Sequence, residues 1–500
     1  MAFTTNERNM NSKTEQPNVL LVMADEHRWD CVGFNGNRQV KTPHLDALAA
    51  DAVNYPNAIC PYPVCTPSRY SLLSGIYVHQ HAAWSNHCTL DPAIPTYAKA
   101  LREAGYATKA VGKMHFTPTY LDVGFDEMEL CEQDGDGRYD DDYHRALVEN
   151  EVVDAIDLYD QRREYRQFAP QEYWETFGAM PSDLPEEWHS TTWIGDRAVE
   201  TLESWKGGGN LLVASFVKPH HPFDPPQRWA DMYEPAALDL LPGWTESVPP
   251  QDTEKAYFDN SKLTEIVLKR IMAYYYATIS HIDHQVGRMI DVLKSHDFYD
   301  DAMVIYLSDH GEYMGFHHMI LKQGHAYDPL ARVPLLIKFP GNSRGGETST
   351  TLANLIDVAP TVLGQAEVPT PDTMKGLDLA DPDAGREIAF LENTGAGYYA
   401  ARSNTHKLIW DRDPAKSQFF DLIADPHEIH DRIEDEALQP LVNEYLAAIA
   451  RWVLFDSTPA LRLSHSVPQI RQPNVPSAAQ RDHLRTQIDR MAQSSLGTTT

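Results

Sequence analysis

The sequence has few cysteines for its length, and it lacks any long apolar run. Five cysteines, an odd number spread over 500 residues, do not form a disulfide framework. The longest apolar runs, such as NVLLVMA and LLVASFV, are far too short to span a bilayer. The N-terminal segment MAFTTNERNMNSKTEQPN is polar and contains no apolar signal core, so we expect a cytoplasmic protein.

Basic residues are also scarce, with 42 Lys and Arg against 72 Asp and Glu, and the formal net charge is −30. A surface of this sign repels nucleic acid and anionic lipid, so we expect neither a nucleic-acid partner nor a membrane partner. An anionic substrate would therefore need a local basic pocket that overrides the field of the whole molecule. The length and the 42% hydrophobic content predict a large globular domain with a sizeable core, plus a smaller domain.

Apolar runs that are typical of strands alternate with segments of helical spacing through most of the chain. The runs are NVLLVMA, ATKAVGK, LLVASFV, MVIYLSD and VPLLIKF, and the helices include TPHLDALAADAV and TYAKALREAGY. This alternation predicts an α/β fold with a large, mostly parallel sheet and helices on both faces. We predict four segments: a disordered N-terminus (1–16), a catalytic domain (17–384), an α+β subdomain (385–455) and an extended or helical tail (456–500).

Ionisable residues directly follow four of the predicted strands. Ligands bind beyond the carboxyl ends of strands in sheets of this kind, so we expect these side chains to lie close together. Their carboxylates and one imidazole suit a divalent cation, whereas the cationic members, with Arg69, suit an oxyanion. A cation beside a basic cluster predicts hydrolysis of a tetrahedral anionic ester. The residues are Asp25 and Glu26, Lys113 and His115, Lys218, His220 and His221, and Asp309 and His310.

The segment YPVCTPSRYSLLSG (62–75) holds a cysteine in a fixed place. Cys65 lies between Pro63 and Pro67, whose rings restrict the backbone, and just ahead of Arg69. Taken alone, a cysteine of this kind is most often a buried structural residue. The residues that flank Cys65 reverse that interpretation.

CTPSRYSLLSG resembles the Cys-x-Pro-x-Arg signature of the formylglycine-dependent sulfatases, in the alkaline phosphatase superfamily. Further blocks are similar to that family in the same order, among them NVLLVMADEHRWD, GYATKAVGKMHF, SFVKPHHPF and YLSDHGEYMGFHHMILKQ. The resemblance covers roughly residues 17–435. It implies an alkaline-phosphatase-like α/β fold and a sulfuric ester hydrolase.

The resemblance also implies a chemical role for Cys65. A separate maturation enzyme would oxidise it to the aldehyde Cα-formylglycine, which hydrates to a geminal diol. One hydroxyl attacks sulfur and expels the alcohol, leaving a covalent sulfate ester. The second hydroxyl then loses its proton and collapses to the aldehyde, which releases sulfate.

The remaining roles are carried over from the family by motif. Arg69 and Lys113 would hold the diol and the sulfate oxygens, and His115 would take the proton in the collapse step. His220 and Lys322 would face the leaving oxygen as an acid and an electrostatic clamp. Asn86 and Lys218 would bind the substrate. The metal ligands would be Asp25, Glu26, Asp309, His310 and the modified Cys65.

Two positions depart from the usual family pattern. The family often has Asp-Asp, or Asp-Gln in the phosphonate ester hydrolase branch, where this chain has Asp25-Glu26. It often has Asp-Asn where this chain has Asp309-His310, a pair that occurs in the phosphonate branch and in some sugar sulfatases. The extra methylene of Glu26 leaves open whether it binds the metal directly. Calcium is the family default, and the imidazole makes manganese more plausible.

Three hypotheses remain open from the sequence. The first is a sulfatase that acts on a small anionic ester, and the second is a phosphonate monoester or phosphodiester hydrolase that uses the same residues. The third is a non-catalytic binding protein in which Cys65 is never converted. The alcohol part of the substrate is not identified by any motif.

Two further segments give structural expectations. DGDGRYDDD (134–142) fails the EF-hand spacing, so we interpret it as a solvated acidic loop. In the tail, Leu484, Ile488 and Met491 form a narrow apolar stripe on one helical face. We expect that stripe to pack on another subunit of a homo-oligomer.

Overall fold

The computed structural model describes residues 16–134, 137–249, 257–322, 324–456, 468–470 and 475–495. All but the last residue of the segment 1–16, which we predicted to be disordered, lies outside these ranges. Within them, every helix is too short or too polar to cross a membrane.

A seven-stranded sheet forms the centre of the molecule. The order is β2-β9-β7-β1-β6-β4-β5. The strands are β1 (Val19–Asp25), β2 (Val53–Asn54), β4 (Ala107–Gly112), β5 (Glu127–Leu130), β6 (Asn210–Pro219), β7 (Met303–Ser308) and β9 (Leu335–Lys338); β3 (Ala58–Ile59) and β8 (Arg332–Val333) pair separately. The pairings from β7 through β1, β6 and β4 to β5 are parallel. At the other edge, β9 pairs antiparallel with both β7 and β2.

Fifteen α-helices are assigned in the described residues, and they surround the sheet. They are α1 (Pro43–Asp51), α2 (Cys65–Ser74), α3 (Val78–His81), α4 (Tyr97–Glu103), α5 (Asp142–Glu149), α6 (Ala155–Gln161), α7 (Arg163–Arg166), α8 (Gln171–Glu175), α9 (Ser190–Ser204), α10 (Gln227–Ala230), α11 (Glu265–Ser295), α12 (Asp328–Ala331), α13 (Val358–Gln365), α14 (Gln439–Arg451) and α15 (Ala478–Ser495).

The central strand β1 shows why helices cover both faces. Successive side chains of a strand point to opposite faces, and all seven residues of β1 are buried. Leu21 and its alternate neighbours pack with α2, α4 and α13, whereas Val22 and its neighbours pack with α1, α9 and α11. The prediction of a mostly parallel α/β fold with helices on both faces is therefore confirmed.

A separate four-stranded antiparallel sheet follows, as the change of pattern near residue 385 predicts. It contains β10 (Ala389–Asn393), β11 (Tyr398–Arg402), β12 (His406–Asp411) and β13 (Gln418–Asp421), in that order, and α14 packs on it. Buried ion pairs from Asp328 to Arg402 (2.9 Å) and Lys407 (3.2 Å) join this sheet to the larger part of the molecule.

The tail helix α15 packs on its own chain. Leu484 and Ile488 are buried with Tyr139, Leu158 and Tyr165 of the segment around α6. The Tyr165 hydroxyl also donates a hydrogen bond to Asp489 (2.7 Å). The expectation that this stripe packs on another subunit is wrong, because its own chain already covers the apolar face.

The described part of the acidic segment, Asp134 and residues 137–142, is also more structured than we expected. Asp140 and Asp141 are 5% and 0% exposed. The Asp141 carboxylate accepts hydrogen bonds from the backbone N–H of Glu132 (2.6 Å) and of His144 (2.8 Å). These carboxylates therefore hold the chain after β5 in place, and the interpretation as a solvated loop is wrong for them.

Candidate active site

The site forms where four neighbouring strands end. The strands β7, β1, β6 and β4 are adjacent in the sheet, and their carboxyl ends lie at the same edge. Asp309 follows β7, Asp25 ends β1, Lys113 follows β4, and His220 follows β6. The order of the strands, which the sequence does not state, is what brings these side chains together.

Cys65 is the first residue of α2 and is 1% exposed. Its Sγ atom lies 3.3 Å from His310 Nε2, 3.6 Å from Asp25 Oδ1 and 3.6 Å from Lys322 Nζ. The N-terminus of a helix favours negative charge, because its free N–H groups and its dipole both point there. The signature cysteine thus faces the ionisable groups of three other segments.

Four of the five residues predicted as metal ligands form one compact group. Asp25, Cys65, Asp309 and His310 each offer a ligand atom, and these atoms lie within 4.8 Å of one another. All four side chains are buried. Two carboxylates and an imidazole are donors that a divalent cation accepts.

Glu26, the fifth predicted ligand, is not in that group, but with Asp25 and His220 it forms a second set of possible metal ligands, whose atoms also lie within 4.8 Å of one another. Its Oε2 atom pairs instead with Lys322 Nζ (3.1 Å) and lies 3.3 Å from His220 Nε2. Its backbone is left-handed, with φ of 63°. Burial and the neighbouring Glu26 raise the pKa of Glu312 well above its usual value. The structure therefore associates Glu26 with the residues expected at the leaving group.

Two buried cations neutralise the carboxylates of the ligand group. Arg69 donates to Asp309 Oδ2 (2.8 Å) and Asp25 Oδ2 (3.0 Å), and Lys113 Nζ lies 2.7 Å from Asp25 Oδ2. Burial raises the pKa of Asp25, but Lys113 and the other nearby cations outweigh it and hold that pKa well below its usual value. Asp25 is therefore ionised near neutral pH, as a metal ligand must be.

His115 is held by two acidic residues that sequence reasoning missed. The backbone N–H groups of Met114 and His115, the latter at a φ of 59°, donate to Glu132 Oε1 (3.0 and 2.9 Å). The ring atom Nε2 lies 2.9 Å from Asp134 Oδ1. Burial lowers the pKa of His115, but Asp134 outweighs it and raises that pKa to about 9. Recognising EMEL (127–130) as a strand would have placed Glu132 and Asp134 at the edge of the sheet where the strands end.

Lys322 and His220 lie together beside Cys65. Burial lowers the pKa of His220 well below its usual value, and the ammonium groups of Lys322 and Lys113 add to that shift. Burial also opposes the charge of Lys322, but the thiol of Cys65 and the carboxylate of Glu26 raise its pKa well above its usual value. Lys322 is therefore the protonated member of the pair and His220 the neutral one.

Asn86 and the N-terminus of α2 are in direct contact. Asn86 Oδ1 accepts a hydrogen bond from the backbone N–H of Thr66 (3.2 Å), and Thr66 Oγ1 donates to the carbonyl of His115 (2.8 Å). The residue predicted to bind a sulfate oxygen is thus fixed to the turn that carries Cys65.

Comparison with known proteins agrees with this geometry. Residues 17–368 match the family model described as Sulfatase, and residues 315–452 match the model described as N-sulphoglucosamine sulphohydrolase, C-terminal. This chain belongs to the sulfatase family. The expected enzyme class, a sulfuric ester hydrolase, is confirmed, and the family implies in general a formylglycine side chain and a divalent metal.

Individual relatives cover most of this sulfatase. It is 30% identical over 471 residues to an arylsulfatase of Clostridium perfringens. The aligned region covers 87% of this chain and 93% of that relative. It is 27% identical to the multifunctional alkaline phosphatase superfamily protein PehA of Trinickia caryophylli, over 90% of this chain and 98% of the relative. The phosphonate monoester hydrolase of Silicibacter pomeroyi shares the fold, with a TM-score of 0.73 and 21% identity over 91% of this chain and all of that one.

Lys218 is the predicted site residue that the structure does not bring to the anion site. Its Nζ atom pairs with Asp224 Oδ1 (2.5 Å) and donates to the carbonyl of Pro222 (2.7 Å), and the residue is 3% exposed. Burial lowers the pKa of Lys218, but Asp224 and Asp157 outweigh it and raise that pKa. The prediction that Lys218 binds substrate is wrong, because its ammonium holds the loop after β6.

This correction predicts the effect of Lys218→Met in this sulfatase. At about pH 8 the substitution leaves the Asp224 carboxylate buried without its partner, and we expect the free energy of unfolding to fall by about 3 kcal/mol. The KM for a sulfate ester should stay within about twofold of the parent value. A larger rise in KM would require that the ammonium of Lys218 contacts the substrate in the parent enzyme. Denaturant unfolding and steady-state kinetics measure the two effects.

The pH dependence of the loss is a second readout. Burial raises the pKa of Asp224 to about 7, and removing Lys218 raises it further. At about pH 6 the Asp224 carboxyl group of the variant is thus protonated, and a neutral group is less costly to bury. The loss in the free energy of unfolding should therefore be smaller at about pH 6 than at about pH 8. Unchanged stability together with a raised KM would return Lys218 to the substrate site.

Proposed function

We propose that this chain hydrolyses a sulfate monoester, with Cys65 converted to Cα-formylglycine as the nucleophile and with a divalent cation as cofactor. One observation carries the proposal: Cys65 Sγ lies within 3.6 Å of both Asp25 in the ligand group and Lys322 at the predicted leaving-group position. A nucleophile at this point can reach sulfur while its neighbours stabilise both the attacking and the leaving oxygen.

The residues present fit a divalent cation. Asp25, Asp309, His310 and the side chain at position 65 would hold it, and the oxygen and nitrogen donors suit calcium, with manganese as the other candidate. When bound, such an ion polarises the ester and favours the deprotonated nucleophile. Glu26 supports this set from outside, because its carboxylate is engaged by Lys322 and His220.

The chain's own residues would act as follows in the first half of the reaction. One hydroxyl of the hydrated residue 65 would lose its proton to solvent, its oxygen would attack sulfur, and the bond from sulfur to the alcohol oxygen would break. Lys322 faces the developing negative charge on that oxygen and can supply its proton, since it is the protonated member of its pair. Lys113 and Asn86 flank residue 65 and would hold the sulfate oxygens.

In the second half, the remaining hydroxyl of residue 65 gives up its proton, and its oxygen forms the aldehyde as the carbon–oxygen bond to sulfate breaks. His115 would accept that proton in its neutral form, which predominates only above about pH 9 because Asp134 raises the pKa of His115 to about 9. The Asp134 carboxylate orients its ring and stabilises the imidazolium, as the buried aspartate does in a serine protease triad. No water has to attack the sulfur atom.

A phosphonate monoester hydrolase is the second candidate. The Asp309-His310 pair, which occurs in the phosphonate branch of the superfamily, favours it. The third hypothesis, a non-catalytic binding protein, is not kept, because the sulfatase family and the arylsulfatase relative support a sulfuric ester hydrolase. The cytoplasmic location, the homo-oligomer and the maturation enzyme as a partner stay predictions.

Cys65→Ser tests the proposed nucleophile. A cysteine-specific maturation enzyme should leave the serine unconverted, with one hydroxyl near the right place. That hydroxyl can attack once, but it cannot collapse to an aldehyde, so the protein should release one equivalent of alcohol and stall as a serine sulfate ester. A burst assay and mass spectrometry of the peptide that contains residue 65 measure both events.

The ester used in this assay separates the two enzyme hypotheses. For a sulfatase, the stoichiometric burst should be faster with an aryl sulfate than with the matching aryl phosphonate monoester. The opposite order would favour the second candidate. Multiple turnover by Cys65→Ser at nearly the parent rate would rule out the diol mechanism for either ester.

The metal assignment predicts a contrast between two carboxylates. Asp309→Ala should lose the cation and all activity, because the ligand group loses a charge, whereas Glu26→Gln should keep the cation and lose rate through Lys322 and His220. Elemental analysis after chelation, dialysis and reloading measures the cation. Asp309→Asn serves as a gentler variant because Asp309 also pairs with Arg69. Full metal content and turnover in both Asp309 variants would contradict the assignment.

The proposed pairing of Asp134 with His115 predicts which half-reaction slows. Asp134→Asn removes the carboxylate that orients the ring, and above about pH 9, where His115 of the parent is neutral as well, we expect kcat to fall about ten- to a hundredfold. The alcohol burst should remain fast, because His115 acts only in the second half. Asp140→Asn is the control, since Asp140 belongs to the same acidic segment but pairs with Arg481. Equal losses in burst and steady-state rates would show that Asp134 has a merely structural role.

A further inference from the structure

A cavity of about 500 Å³ opens beside the reaction centre. Glu26, His220 and Lys322 form one part of its wall, so the alcohol part of a bound ester would extend into it. The rest of the wall comes from regions that the sequence analysis did not assign to the site. These other lining residues are His87, Asp134, Asp160, Gln161, His221, Tyr257, Leu321 and Arg166.

Each carboxylate in this wall has a partner. Glu26 pairs with Lys322, Asp134 with His115, and Asp160 Oδ1 lies 2.8 Å from His221 Nδ1. Asp160 Oδ1 also accepts a hydrogen bond from the hydroxyl of Tyr173 (2.6 Å). Side chains of the protein therefore already engage each of these carboxylates.

Arg166 differs from these groups. Its guanidinium lies over the ring of Tyr257, with Cζ 4.5 Å from the ring centroid, and its Nη2 atom donates to the carbonyl of Asp160 (2.8 Å). These two contacts fix the plane of the guanidinium. Its Nε atom is buried, and no described residue accepts a hydrogen bond from it.

No carboxylate in the described part of the chain pairs with Arg166. An unpaired guanidinium is notable in a protein with a formal net charge of −30, where acidic partners are abundant. The guanidinium of Arg166 is consequently a cation of the cavity wall that is available to a ligand. A planar guanidinium with free N–H donors matches an oxyanion in a bidentate geometry.

We propose that Arg166 is a specificity residue that binds a second oxyanion, a carboxylate or a sulfate, on the alcohol part of the substrate. This inference rests on the proposed function, because it assigns the far end of the same ester. The preferred substrate is then a sulfate ester of an alcohol that is itself anionic. Tyr257 adds an aromatic surface beside that group.

Matched esters test the proposal. The probes are 4-(carboxymethyl)phenyl sulfate, its neutral methyl ester, and hydroquinone bis-sulfate. Each is assayed with the parent enzyme, with Arg166→Gln and with Arg166→Lys. The control is Arg163→Gln, an exposed arginine of the same short helix α7 that does not line the cavity.

We expect Arg166→Gln to lower kcat/KM about ten- to a hundredfold for the substrate with the preferred oxyanion, mostly through KM. The methyl ester should change less than about threefold, Arg166→Lys should keep part of the preference, and Arg163→Gln should behave as the parent. Comparing the variant with the parent on each ester cancels the reactivity of the leaving group. Whichever anionic ester shows the loss identifies the oxyanion.

Other outcomes overturn the inference. An equal loss on the neutral and anionic esters, with a lowered melting temperature, would show that Arg166 only supports Tyr257. No loss on either anionic ester would show that Arg166 binds no oxyanion. Turnover of the methyl ester by the parent keeps these results separate from a failure of the proposed function, in which none of the three sulfates is hydrolysed.

Discussion

A single buried guanidinium joins the carboxyl ends of the four strands that build the site. Arg69 contacts Asp25 at the end of β1, Ser215 in β6, Asp309 after β7 and the carbonyl of Lys113 after β4. Burial lowers its pKa, but Asp309 and Asp25 outweigh that effect and raise it, so the group stays charged. Because Arg69 also belongs to α2, the same contacts fix the helix whose first residue is Cys65.

The charges at this edge explain how an anion could bind to so acidic a protein. Three cations, Arg69, Lys113 and Lys322, face the carboxylates of Asp25, Glu26 and Asp309. Formally these charges cancel, so the side chains alone create no net attraction at the ligand group. A divalent cation would supply that attraction locally, where burial strengthens it and the distant surface charges are screened.

The structure divides the acidic residues between separate tasks. Asp25 and Asp309 belong to the ligand group, Glu26 engages the leaving-group residues, and Glu132 and Asp134 hold the backbone and ring of His115. A left-handed backbone at Glu26 and His115 is costly for such residues, and it persists only where contacts of this kind over-determine it. The same left-handed backbone occurs at Leu321, directly before Lys322, so strained residues lie in three segments of the site.

The sequence alone determined the fold class and most of the site. Apolar runs that alternate with helical spacings specify a parallel sheet, since both faces of its strands are buried, and the Cys65 signature with the polar strand ends identified Asp25, Lys113, His115, His220 and Asp309. These signals are local, which is why they can be read from the sequence. Strand order and side-chain direction depend on contacts between distant segments, so only the tertiary structure decided the rest. It brought Glu26 to Lys322 and His220, occupied Lys218 with Asp224, placed Asp134 on His115, and covered Leu484 and Ile488 of α15 with their own chain.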